Sequence, residues 1–238
     1  MPASDALIVA LDVATLDDAI GLLDRLQGVV GHVKIGSQLS AAAGLAAVEA
    51  AHKRGFEVFL DLKFHDIPNT VAGAAREATR LGVFMYTVHA SGGRAMMRAA
   101  AEATAAAAKE LGLRRPLGVA VTVLTSLDRR ALHDELGVAS SVAGHVLHLS
   151  QLAHEAGLDG CVASPQEIAP IRRLLGPRWL IVTPGVRPAG SDAGDQARTA
   201  TPAAAVAAGA HYLVVGRPII AAPDPATAAR AILEEISR

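Results

Sequence analysis

The sequence holds one cysteine, Cys161, in 238 residues. That excludes an internal disulfide framework and any cysteine-clustered zinc or iron–sulfur site. It also lacks an excess of either charge: Lys+Arg total 22 and Asp+Glu 23, a formal net charge of −1. Nothing in that balance points to nucleic acid or an anionic membrane, although a local basic site for a small anion is compatible with it. No run of 18 uncharged apolar residues is present, so no bilayer span is expected. Residues Met1-Pro2-Ala3-Ser4-Asp5 lack the basic start and long apolar stretch of a secretory signal. No Pro/Gly/Ser-rich linker divides the chain, and a single domain over 1–238 is expected. What is abundant is apolar material, 51% against 19% charged, which excludes charge-driven disorder and supplies a sizeable core. The expectation is a soluble cytoplasmic protein.

Short, nearly continuous apolar runs alternate with alanine-rich helical stretches. The strand candidates are Ala6–Asp12, His32–Gly36, Glu57–Lys63, Val83–His89, Leu117–Val123, Gly160–Ser164, Trp179–Thr183 and His211–Val215. Runs apolar on both faces suit parallel strands covered on both sides. Between them, Thr15 reads as an N-cap before Leu16-Asp17-Asp18, with Ser91, Ser164 and Thr201 as further caps. Pro165 and Pro202 fit first helical positions, and Gly55, Gly82, Gly112, Gly157 and Gly209 fit the ends of helices. The longest interval, after the fifth strand, has room for a short helix near Asp128–Leu136 before a longer one at Ser140–Ala156. Eight strand–helix units predict an α/β fold, a (β/α)8 TIM barrel. An open doubly wound sheet shares the alternation, but no GxGxxG follows the first strand.

In such a barrel the chemistry sits at the C-terminal ends of the strands. Asp12 ends the first strand, Lys34 lies in the second, Asp61 and Lys63 end the third, and Asp66 follows. A charge in an apolar strand is costly unless paired, and its recurrence on three strands points to one shared polar site. Asp61 and Lys63, two apart, should project together into the barrel mouth. Asp66 is expected beyond the strand, on a turn made by Pro68 and Asn69. A fixed ammonium suits a reaction in which negative charge develops on carbon and is then protonated. At about 4 Å and an effective dielectric near 20, one such contact is worth roughly 4 kcal/mol. The alternative is a buried ion-pair network with no chemistry.

A second candidate is anionic recognition. The segment Thr183-Pro184-Gly185-Val186-Arg187 and the turn Gly216-Arg217 follow strands seven and eight, the recurrent phosphate position of barrels. Gly216 would let backbone N–H groups approach, and Arg217 would supply a charged fork. The polar stretch from Ala189 to Gln196 reads as a closing lid, or else as a plain surface loop.

Taken in order, these residues resemble the orotidine 5′-phosphate decarboxylase family in its shorter bacterial form. The likeness runs from Leu11-Asp12-Val13 and Val33-Lys34-Ile35-Gly36 to Val215-Gly216-Arg217-Pro218-Ile219. Its most specific part is Asp61-Leu62-Lys63-Phe64-His65-Asp66-Ile67-Pro68-Asn69-Thr70. Val88-His89-Ala90, the runs 121–126 and 163–167, and Thr183 to Pro188 also match. The resemblance implies cofactor-free, metal-free conversion of orotidine 5′-monophosphate to UMP and CO2, the last step of pyrimidine nucleotide synthesis. It implies Lys63 as proton donor to C6, with Asp61 beside the substrate carboxylate. Asp66 and Thr70 would come from the partner of a homodimer. Asp12 and Lys34 would hold the ribose, and Thr125 and Ser126 would meet the base. Gln196, Arg217 and the backbone at Gly216 would hold the phosphate, with Arg187 at the same loop.

Plainer readings stand beside these. Asp12 also reads as a helix cap, and His89 as a structural histidine of the mouth. His65 lacks a second histidine at ligand spacing, so a metal site is disfavoured. His145 and His148 fall on the solvated side of a helix whose stripe is Val142, Val146, Leu149 and Ala153. Cys161 and Trp179 read as packing. Two rival functions remain: a magnesium-dependent 3-keto-sugar-phosphate decarboxylase or hexulose-phosphate synthase, and a noncatalytic UMP-binding barrel. The first is disfavoured by Lys34, which stands where those enzymes carry an acidic ligand. The second would not need the Asp61, Lys63, Asp66 set.

Overall fold

A computed structural model describes residues 6–187 and 200–237. Its strands are β1 Leu7–Ala10, β2 His32–Gly36, β3 Glu57–Phe64, β4 Met85–His89, β5 Leu117–Val121, β6 Gly160–Val162, β7 Leu180–Thr183 and β8 Tyr212–Val215. Each pairs in parallel with its neighbours in chain order, and β8 pairs with β1, which closes the barrel. All eight expected strands are present. Several are trimmed at the ends, although the ladder persists beyond the trimmed bounds. Leu11 N–H still donates to Lys34 O at 3.0 Å, and Phe84 N–H to Val58 O at 2.8 Å.

Period-two alternation sorts the side chains into two cores. Ile8, Ala10, Phe59, Met85, Val119, Val182 and Val214 fill the barrel. Leu7, Val9, Leu11, Val33, Ile35 and Leu60 point outward against the helices. The base of the barrel is plugged by rings, with His32 and Phe84 centroids 4.6 Å apart and Phe84 and Tyr212 5.5 Å apart. The parity that buries Ala10 and Phe59 inside the barrel carries Asp12, Lys34 and Asp61 toward its mouth.

The helices begin and end largely as their punctuation predicts. Thr15 accepts a hydrogen bond from Asp18 N–H, and Thr201 from Ala204 N–H. The five glycines expected at helix ends all have positive φ. Ser91 differs from expectation: it lies inside a 3-10 turn, Ala90–Gly92, and its hydroxyl meets His89 Nδ1 at 2.9 Å instead of capping. Ser164 likewise turns its hydroxyl to Glu167. Pro68 and Asn69 do not form a separate turn; they open the helix Pro68–Arg80, where proline suits the first position. The short helix after β5 is a single π-type turn, Ala131–Glu135.

On β6, Cys161 is fully buried, with Trp179 Nε1 donating to its sulfur at 3.3 Å and Ser150 Oγ at 3.7 Å. Burial pushes its thiol up to about 11. No helix among the described residues is long and apolar enough to cross a membrane.

Candidate active site

The strand ends surround a cavity of about 370 Å³ at the C-terminal face of the barrel. Strands β1 to β3 supply its charges. Lys34 Nζ lies 3.0 Å from Asp12 Oδ1 and 3.4 Å from Asp61 Oδ2. Lys63 Nζ lies 3.0 Å from both oxygens of Asp61. The result is an alternating array, Asp12, Lys34, Asp61, Lys63, in which each interior charge has two opposite neighbours. Lys34 and Asp61 are buried, whereas the Lys63 side chain is 36% exposed and borders the open cavity. Two carboxylates and two ammonium groups sum to zero, which offsets the desolvation each would suffer alone. Asp12 is therefore part of the site; Thr15 performs the capping.

Gly36 at the end of β2 makes the array possible. A Cβ there would lie 2.9 Å from Lys34 Nζ and 3.4 Å from Asp12 Oδ1. The ammonium passes through the space that a side chain would fill.

The opposite strands provide apolar and cationic surface. Val121, Val123, Leu124 and Thr125 border the cavity at and beyond the end of β5, and Val162 and Ala163 at the end of β6. Pro184, Gly185, Arg187, Gly216 and Arg217 complete it after β7 and β8. Arg187 N–H bonds to Ala200 O at 3.0 Å, which joins the backbone at those two residues. Burial and the nearby Arg217 charge lower the pKa of Arg187. Two guanidinium groups bordering one cavity mark a place for an anion.

Several expected residues stand elsewhere. Ser126 is exposed and outside the lining, although its neighbour Thr125 is part of it. Asp66 and Thr70 do not reach the cavity of their own chain. Asp66 accepts a hydrogen bond from Ile67 N–H at 2.6 Å, and residues 65–70 are all exposed. Gln196 and the stretch from Ala189 to Gln196 lie outside the described residues. His89 and His65 stack at 5.4 Å beside the site, and burial, then the His65 and Lys63 charges, lower the pKa of His89. No group of three or more His, Cys, Asp or Glu at metal-holding spacing occurs among the described residues.

Comparison with known proteins meets this geometry. Residues 5–232 match the family model described as Orotidine 5′-phosphate decarboxylase / HUMPS family. The chain belongs to that family. Orotidine 5′-phosphate decarboxylase of Moorella thermoacetica is 58% identical over 236 residues, covering 99% of this chain and 94% of the relative. That of Heliobacterium modesticaldum is 52% identical, covering 100% and 98%. The crystal structure of orotidine 5′-phosphate decarboxylase from Lactobacillus acidophilus superposes with a TM-score of 0.87 at 36% identity, covering 98% of this chain and all of that one. Both of these relatives carry the decarboxylase name of that family description.

One residue of the site escaped the sequence reading. Thr87 on β4 is fully buried and bonded to both Asp61 and the Lys63 backbone. Its signal was a hydroxyl on the inward parity of an apolar strand, between Met85 and His89.

Proposed function

We propose that this chain decarboxylates orotidine 5′-monophosphate to UMP and CO2 in the cytoplasm, with residues 1–238 acting as one domain. The observation that carries this reading is the Asp12, Lys34, Asp61, Lys63 array bordering a cavity that also contains Arg187 and Arg217.

The C6–carboxylate bond breaks, CO2 departs, and the bonding electron pair stays on C6. The Lys63 ammonium, held by Asp61, stabilises that developing charge and gives C6 a proton; the amine then regains one from solvent. Asp61 lies beside the substrate carboxylate and fixes the ammonium. Lys34 and Asp12 hold ribose hydroxyls; Thr125, which borders the cavity, meets the base, and Ser126 beside it would have to turn in from the rim to do so. Arg187, Arg217, Gly216 and Gln196 bind the phosphate. Binding energy from that remote group can be used for positioning at the reacting carbon.

The reading is metal-free because the Lys34 ammonium occupies the space beside Asp61 that a divalent cation would need. It is dimeric because the exposed run 65–70, with Ile67 67% exposed, carries Asp66 and Thr70 away from their own cavity. A second copy can bury that apolar surface and bring both side chains to its neighbour's site.

The test is loss of orotidine 5′-monophosphate absorbance with purified protein in EDTA. Turnover in EDTA supports the reading. Activity on a keto-sugar phosphate restored only by magnesium would move the chain to the synthase branch. UMP binding without either turnover would leave a nucleotide-binding barrel.

A further inference from the structure

Asp61 and Lys63 are not held by each other alone. The β3–β4 ladder slips between its last two registered pairs: Leu60 faces Tyr86 and Phe64 faces Val88, so residues 61–63 stand against Thr87 alone. At that slip Lys63 has φ 53°, the only non-glycine residue with positive φ among those described. This conformation costs a side-chain-bearing residue about 1 kcal/mol or more. It persists only where the surroundings enforce it.

A buried N–H displaced from its ladder must find another acceptor. The Lys63 N–H donates to Thr87 Oγ1 at 2.8 Å. An amide can only donate, so the hydroxyl accepts there and its own proton is free to go elsewhere. It goes to Asp61 Oδ1, at 3.1 Å. One oxygen atom thus holds the backbone of the lysine and the carboxylate that orients its ammonium. Thr87 does not line the cavity, so its influence passes through those two residues.

We propose that Thr87 is a positioning residue for the decarboxylation, its hydroxyl enforcing the left-handed Lys63 backbone and the Asp61 orientation together. This rests on Lys63 being the proton donor. Misplacing such a group by about 1 Å costs on the order of 100-fold in rate.

The experiment compares Thr87→Val, which keeps the branched shape and removes both hydrogen bonds, with Thr87→Ser, which keeps both. Expected for Thr87→Val is a fall in kcat per UMP-binding site of about 10- to 100-fold. KM for orotidine 5′-monophosphate and Kd for UMP should stay within about twofold, since no cavity contact is removed. Thr87→Ser should recover most of kcat. Should Thr87→Val not fold, Thr87→Ala carries the same comparison. Wild-type kcat in Thr87→Val, or a loss that Thr87→Ser does not repair, would overturn the proposal. If the unaltered protein fails to decarboxylate, the functional reading falls instead. A crystal structure of Thr87→Val then decides the positioning claim: an unchanged Lys63 φ and Asp61 contact would overturn it.

Discussion

The ammonium of Lys63 lies 3.0 Å from each oxygen of Asp61, with a single residue between them in the chain. Regular strand spacing puts both on one face; the left-handed turn at Lys63 then aims its side chain while its neighbour stays in the ladder. Lys63→Ala is expected to lower kcat by at least about 100-fold, the usual scale for removing a positioned acid, while UMP still binds. Near-normal turnover in that variant would remove Lys63 as the proton donor.

Gly36 offers a separable prediction. Alanine there meets the Lys34 ammonium rather than backbone, and the long side chain can swing away without unfolding β2. Gly36→Ala should therefore leave the melting temperature almost unchanged and break the Lys34–Asp12 contact. KM for the nucleotide is expected to rise about tenfold, since one charged hydrogen-bond partner is misplaced. Unchanged KM would show that Lys34 does not hold the ribose.

Mixing inactive variants tests the shared site. If Asp66 serves the neighbouring cavity, a Lys63→Ala chain and an Asp66→Ala chain together form heterodimers with one intact site. Unfolding and refolding a 1:1 mixture should restore about a quarter of wild-type activity, because half the dimers are mixed and one site in two is whole. No recovery would place Asp66 in its own subunit's chemistry or in none.

The histidines set an acid limit on stability. Burial lowers the pKa of His89, His145 and His211 below the ordinary 6.5, with the neighbouring Arg172 charge adding to the effect at His211. His211 Nδ1 already meets Arg172 Nη2 at 2.5 Å and Ile181 N–H at 3.3 Å, so a proton has no place there. The unfolded chain binds protons below about 6.5 and the folded chain resists them, so stability is full above that value and is lost as pH falls through it. Urea unfolding between pH 5 and 8 should show this slope, and His211→Gln should make it shallower, leaving the shares of His89 and His145. Stability that rises toward pH 5 would contradict it.

How much of this was legible in the sequence depended on the kind of signal. Charges in apolar strands announced themselves, so Asp12, Lys34, Asp61 and Lys63 were found together, and hydrophobic runs located every strand. Strand ends were overrun because Leu11, Thr122 and Phe84 keep ladder hydrogen bonds after the regular pattern stops. Thr87 carried only the faint signal of an inward hydroxyl, and a β-branched residue in a strand otherwise needs no further explanation. Its role arises from a slip between β3 and β4, which no periodicity encodes. Asp66 and Thr70 could be placed only by resemblance, since both are exposed and neither borders the cavity of its own chain.

The sulfhydryl of Cys161, sealed behind Trp179, gives the barrel a native reporter. A thiol with its pKa near 11 and no solvent access does not react while the β6–β7 wall is closed. Because the chain has no other cysteine, all disulfide reagent consumed reports on that one wall. Reaction rates then measure the local opening equilibrium without an engineered label, and any nucleotide that clamps the strand ends should slow the reaction in proportion to its grip on that wall.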